Sequence, residues 1–155
     1  MIKHDFLYAV EGEYPVSIER LWSAWTDSAQ LEQWYHPTDL TVVPGSATSE
    51  ANVGGLWTVA IDVPQYDMVA YFFGWYSTVE PLKRLEHSMS YTQNAAEFKA
   101  QDRNAPHHKI VIEFEDRSDK SWVKFSQFGE MPAEQIEATT VGMQSYFASL
   151  KDFLA

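Results

Sequence analysis

Of the five histidines in this chain, His87 occupies the position best suited to chemistry. It lies on a predicted strand face that it shares with Leu85, Met89 and Tyr91, between polar residues on the opposite face. An imidazole there points toward the interior, where it can orient the polar end of a ligand or transfer a proton near neutral pH. The alternative is a core histidine satisfied by a neighbouring hydroxyl or carbonyl group. The sequence alone leaves both interpretations open.

Other candidate chemistry is sparse. His107 and His108 are adjacent, so on a strand they would point to opposite faces, and no carboxylate completes a known metal-site spacing. His36 follows an aromatic segment and is either at the rim of a cavity or at an exposed helix end. Gly54 and Gly55 form a lone pair that is more typical of a bulge or a tight strand entry than of a phosphate-binding loop. The chain has no cysteine, which excludes thiolate nucleophiles and sulfur-ligated zinc. We therefore predict no catalytic set, no metal site and no cofactor.

Length and composition predict a single globular domain spanning residues 1–155. Hydrophobic residues make up 45% of the chain, enough apolar area to offset the entropy of ordering. The 22 acidic and 11 basic residues give a formal net charge of −11, which argues against nucleic acid and anionic membrane surfaces as partners. No segment approaches the roughly 18 apolar residues of a membrane span, and the first five residues are too polar for a signal peptide. With no cysteine present, we expect a soluble, cytoplasmic protein.

The elements that must position these residues begin with an aromatic segment at residues 21–37. Apolar residues recur there at helical spacing, which predicts two short helices in tandem. Ser17 is a good N-cap for the first helix, which ends near Thr26, and Pro37 stops the second. Trp22 and Trp25 are interpreted as structural core.

Period-two alternation predicts strands on either side of a polar connection at residues 92–107. We expect a first strand over residues 6–14, a hairpin that includes residues 57–61 and 68–79, a strand near 85–91, and a second hairpin near 110–115 and 122–125. The connection is interpreted as a lid or a solvated loop, with no ordered element assigned to it. On strand 68–79 both faces are apolar, and we expect the outer one to be covered, with a homodimer contact as one option.

A stripe of apolar residues with a 3.6-residue period predicts a long C-terminal helix from Ile136 to Leu154. The fold class is therefore α+β: a curved antiparallel sheet of six to seven strands around this helix, with two short helices after the first strand. A helix can touch only part of a strongly curved sheet, so we expect an internal cavity at the mouth.

Several segments together resemble a known family. Residues 14–27 resemble the opening of the activator-of-heat-shock-ATPase-like branch of the START-related, SRPBCC helix-grip superfamily. Residues 31–37, 54–57, 74–85 and 142–154 resemble its later motifs in the same order. The resemblance covers about residues 10–155 and implies a helix-grip fold. The chain departs from the family at Tyr35 and Met143, where the family usually has tryptophan, and a thioether in place of an indole favours a larger or more adaptable cavity.

The resemblance and the pattern together predict non-catalytic binding of a small hydrophobic molecule between sheet and helix. Two alternatives stay open: a polyketide cyclase or aromatase-like enzyme using the same cavity, and a protein-interaction module that stimulates a heat-shock ATPase. The residues predicted to line the cavity are Trp34, Tyr35, Trp57, Val59, Ile61, Tyr76, His87, Met89, Met143 and Phe147.

Overall fold

A computed structural model describes residues 5–155 and contains one antiparallel sheet of eight strands. The strands are β1 (Asp5–Tyr14), β2 (Thr41–Val42), β3 (Thr48–Ser49), β4 (Leu56–Val63), β5 (Met68–Glu80), β6 (Arg84–Thr92), β7 (His108–Asp116) and β8 (Ser121–Gly129). The helices are α1 (Ile18–Thr26), α2 (Ser28–Trp34), α3 (Ala95–Ala100) and α4 (Ala133–Leu154). The strand order is β1-β8-β7-β6-β5-β4-β2, and β3 also pairs with β4.

The sheet curves around α4, as a helix-grip fold requires. Register shifts in β1, between Phe6 and Tyr8, and in β5, between Tyr76 and Thr78, mark irregularities of the kind that bend a sheet. The α+β fold class and the curved sheet are confirmed. The count of eight strands exceeds the six to seven expected, because β2 and β3 are two residues each and too short to show a period.

The two short helices follow β1 as predicted and close one end of the sheet. The Ser17 hydroxyl accepts a hydrogen bond from the backbone N–H of Arg20 at 3.1 Å, which caps α1. Leu21 and Trp25 face inward and are almost fully buried. Helix α2 ends at Trp34, ahead of Pro37.

The long helix α4 lies across the concave face of the sheet. Met143, Phe147 and Leu150 are buried along one stripe, in agreement with the predicted periodicity. The Tyr14 hydroxyl donates a hydrogen bond to the Phe147 carbonyl oxygen at 3.3 Å, and the Arg20 guanidinium lies 4.7 Å from the centre of the Phe153 ring. These contacts fix the C-terminal half of α4 against β1 and α1.

The connection between β6 and β7 covers the outer face of β5. Its helix α3 is capped by Asn94, whose side chain accepts hydrogen bonds from the backbone N–H groups of Ala96 and Glu97. The Phe98 ring stacks on Tyr71 with centroids 4.8 Å apart. Thus α3 is an ordered element where the sequence analysis assigned none, and part of the outer aromatic face is covered within the chain. The homodimer contact stays a prediction.

Candidate functional site

A cavity of about 740 Å³ lies between the concave face of the sheet and the N-terminal half of α4. It is bounded by β1, β5, β6, β7 and β8 on one side and by α4 on the other, with the end of the 92–107 connection at its edge. The residues that line it are Tyr8, Tyr35, Phe72, Met89, Tyr91, Pro106, His107, His108, Phe125, Gln127, Glu130, Met131, Gln135, Thr139, Met143 and Tyr146.

Three of the ten residues predicted for the cavity, Tyr35, Met89 and Met143, line it. The other seven point inward but pack in the core away from this cavity. They are Trp34, Trp57, Val59, Ile61, Tyr76, His87 and Phe147, all buried. The periodicity of the strands and helices therefore indicated that these side chains face inward, but not how far they lie from the open space.

The aromatic rings of α1 and α2 fill the part of the concave face where those residues lie. The Trp25 ring lies 4.6 Å from that of Trp34 and 5.9 Å from that of Phe147, both edge to face. The Trp34 indole N–H donates to the Ala24 carbonyl oxygen at 2.7 Å, which holds this ring between the two helices. The cavity is consequently confined to the region that α1 and α2 do not reach.

One wall of the cavity carries a chain of hydrogen bonds that determines a histidine tautomer. The Tyr8 hydroxyl donates to Gln127 Oε1 at 2.6 Å, so the Gln127 amide nitrogen faces His108 Nδ1, at 2.7 Å. Because that amide nitrogen is a donor, Nδ1 accepts, and the proton of the neutral ring is on Nε2. His108 Nε2 then donates to the Glu130 carbonyl oxygen at 3.1 Å. Tyr8, Gln127, His108 and the Glu130 carbonyl group thus find their hydrogen-bond partners within the wall.

Two further phenols on the wall have hydroxyl groups with no such partner. Tyr35 and Tyr146 contact each other edge to face with ring centroids 5.0 Å apart, and neither hydroxyl makes a hydrogen bond to any part of residues 5–155. Burial raises the pKa of both phenols, and for Tyr35 the neighbouring Tyr146 and Tyr8 raise the pKa further. Both are therefore neutral donors at physiological pH.

The charge on the cavity wall is small. Glu130 is the one carboxylate among the described lining residues, and those residues include no lysine or arginine. An anionic group inside would be removed from water without a counter-charge, which is costly. The site favours an uncharged guest.

His87 lies on the concave face but takes no part in this cavity. Its ring stacks on Trp57 with centroids 4.3 Å apart, and its Nδ1 donates to the Ser88 carbonyl oxygen at 2.7 Å. Burial lowers the pKa of His87 to about 4, so the ring is neutral near pH 7. It borders a smaller depression of about 410 Å³ that also involves Arg103 and Lys109. This environment corresponds to the core-histidine interpretation.

The sequence analysis missed Tyr8, Gln127 and Tyr146. Gln127 follows Val123 and Phe125 on an apolar strand face, and a single amide in such a pattern is a recognisable signal of a polar contact within a cavity. Tyr146 lies three residues after Met143. It was not predicted to line the cavity, because the apolar stripe of the C-terminal helix was assigned to Met143 and Phe147. His107 and His108 both line the cavity because β7 begins at His108, so His107 is not part of the strand.

Two kinds of feature are lacking in the described chain. Across residues 5–155, no three His, Asp or Glu side chains converge as metal ligands would. Among the helices of that same range, none is long and apolar enough to cross a membrane.

Comparisons with known proteins agree with this architecture. A protein from Staphylococcus epidermidis superposes with a TM-score of 0.77 at 23% identity, covering 99% of this chain and 93% of the other. The AHSA1 protein from Silicibacter pomeroyi superposes with a TM-score of 0.77 at 17% identity, covering 94% of each chain. DynU16, from the dynemicin biosynthetic locus, gives a TM-score of 0.68 at 16% identity over 97% of this chain and 47% of its own. These superpositions show a shared fold.

Sequence comparison identifies the family. Among curated proteins, none matches the chain at a significant level. The model of one family does match, and it covers residues 15–155. The predicted START-related fold and its AHSA-type branch are thereby confirmed: the chain belongs to the family described as Activator of Hsp90 ATPase homolog 1-like protein.

Proposed function

We propose that this protein binds a small hydrophobic molecule in the cavity beneath α4 and holds it without transforming it. The observation that carries the proposal is the cavity of about 740 Å³, which is within the roughly 300–1,000 Å³ typical of small-molecule sites. Its wall includes the apolar side chains of Phe72, Met89, Phe125 and Met143. Burial of a guest's apolar surface against them supplies the driving force for binding.

The polar groups of the cavity support binding more than reaction. Both ring nitrogens of His108 already have hydrogen-bond partners, so the imidazole is not available as a base without breaking the chain of hydrogen bonds. His87, the base expected from the sequence, is packed against Trp57 outside the cavity. A cyclase-like activity and a heat-shock ATPase interaction are the alternatives, and the following experiment separates small-molecule binding from the second of them.

Native mass spectrometry of the purified protein would reveal a copurified guest. A second measurement uses N-phenyl-1-naphthylamine, a neutral fluorescent probe, which we expect to bind one molecule per chain. Met143→Trp should weaken probe binding by narrowing the space, with little change in stability, because a cavity wall accepts added volume. Met143→Ala is the control, and it should keep probe binding at a cost of about 2 kcal/mol.

A closed interior would give the opposite results. If the native protein takes up no probe and Met143→Trp lowers the free energy of unfolding by several kcal/mol, the small-molecule proposal fails and protein interaction becomes the leading alternative.

We also propose a cytoplasmic location, which the absence of cysteine supports and cell fractionation would test.

A further inference from the structure

We propose that the guest of this cavity is an uncharged hydrophobic carbonyl compound, such as an aromatic ketone, whose carbonyl oxygen accepts hydrogen bonds from the hydroxyls of Tyr35 and Tyr146. This inference rests on the proposed function and specifies the chemical class of its ligand.

The two hydroxyls belong to the tyrosines of the wall whose phenol groups make no hydrogen bond within residues 5–155. The Tyr35 residue is only 4% exposed, yet its hydroxyl is not among the fully buried polar atoms and is therefore open to the cavity. Water or a ligand in the cavity can satisfy such a hydroxyl. Tyr146 approaches it from α4, edge to face with ring centroids 5.0 Å apart, so the two phenols meet on one side of the cavity.

Three other hydrogen-bonding side chains of the wall do not compete for the ligand. Tyr8, Gln127 and His108 are engaged with one another and with the Glu130 carbonyl oxygen. Because burial holds Tyr35 and Tyr146 in the protonated form, each offers a donor that an acceptor atom can use. A carbonyl oxygen has two lone pairs and can accept from both.

Charge separates a ketone from a carboxylate at this site. A carboxylate would also accept from two phenols, but it would enter a wall whose one described charged side chain is the carboxylate of Glu130. The loss of hydration opposes its entry, and the nearby Glu130 carboxylate, although exposed, adds repulsion. The body of the ligand faces Met89, Phe125 and Met143, which matches an apolar or aromatic frame.

The test uses 6-propionyl-2-(dimethylamino)naphthalene, a neutral aromatic ketone whose emission moves to longer wavelength when its carbonyl accepts a hydrogen bond. We expect the native protein to bind it, and Tyr35→Phe and Tyr146→Phe each to weaken binding about three- to tenfold. In the double variant the emission of the bound probe should move to shorter wavelength. Thermal unfolding should be unchanged or improved in both variants, because each removes a hydroxyl with no partner in the described chain.

Three controls make the result specific. Tyr76→Phe removes a buried hydroxyl that bonds Ser49 outside the cavity, and it should leave ketone affinity unchanged. N-phenyl-1-naphthylamine has no carbonyl, so its affinity should be the same in the native protein and both phenol variants. The carboxylate 6-(dimethylamino)-2-naphthoic acid should bind at least tenfold more weakly than the ketone.

The two proposals fail in different ways. If neither neutral probe binds, the cavity takes no small molecule and both proposals are overturned. If both probes bind but the phenol variants change neither the affinity nor the emission of the ketone, only the carbonyl inference is overturned. Equal or tighter binding of the carboxylate would also overturn it.

Discussion

We expect His87 to make the stability of this protein depend on pH between about pH 4 and pH 6.5. The ring is 1% exposed, stacks on Trp57, and leaves Nε2 without a hydrogen-bond partner in the described structure. Burial is the main cause that lowers its pKa from 6.5 to about 4, and the hydrogen bond to Ser88 opposes the shift only in part. An unfolded chain has no such restriction and takes up the proton near pH 6.5.

The direction of this pH dependence follows from the number of protons that the folded and the unfolded chain bind. Between pH 6.5 and pH 4 the unfolded chain binds a proton that the folded chain does not, so acidification favours unfolding. The full shift from 6.5 to about 4 corresponds to roughly 3 kcal/mol, at 1.36 kcal/mol per pKa unit. From pH 7 to pH 5 the expected loss is about 2 kcal/mol.

The assay is urea unfolding followed by circular dichroism at pH 7, 6 and 5, on the native protein and on His87→Phe. The phenylalanine keeps a ring against Trp57 and cannot titrate, so its loss of stability over the same range should be smaller by about 2 kcal/mol. Subtracting the two curves removes the contributions of the other histidines and the carboxylates, which are common to both proteins. Parallel curves for the two proteins would show that His87 does not cause the loss of stability between pH 7 and pH 5.

Two further substitutions in α4 test its packing. Gly142 lies in the helix, and a Cβ built there meets nothing within 4 Å, so Gly142→Ala should raise the free energy of unfolding by up to about 1 kcal/mol in the same urea assay. A decrease would mean that the position is crowded. Leu150 is fully buried, so Leu150→Ala should cost about 2–5 kcal/mol, and a loss below half a kcal/mol would place it outside the core.

Most of the fold was predictable because its long elements carry clear periods. β1, α1, α2 and the stripe of α4 follow patterns that repeat at least twice within each element. β2 and β3 are two residues long and depend on pairing with β4, which no local pattern shows. Helix α3 was missed because its six residues contain one large apolar side chain, Phe98, and so show no apolar stripe; its stability comes from the Asn94 cap and from Phe98 packing on β5.

The candidate site was less predictable for a geometric reason. Alternation tells which face of a strand a side chain occupies, but the same concave face is filled at one end and open at the other. Val59 and Ile61 lie at the filled end, whereas Phe125 and Gln127 lie at the open end. The difference between the filled and the open end depends on where the Trp25 and Trp34 side chains pack. Their position is a property of tertiary packing and not of any single segment.

Tyr35 belongs to both the aromatic framework and the cavity wall, which couples the shape of the cavity to the packing of the core. Its ring contacts Trp25, Trp34 and Trp57 as well as Tyr146, so a substitution there changes the packing of the core and the shape of the cavity together. Met89 and Met143 line the same space with flexible, adaptable side chains. Substitutions at the two methionines can therefore change the volume and shape of the cavity while the aromatic framework stays in place. The wall thus combines a rigid side, built from stacked aromatic rings, with a side that can change independently of the core.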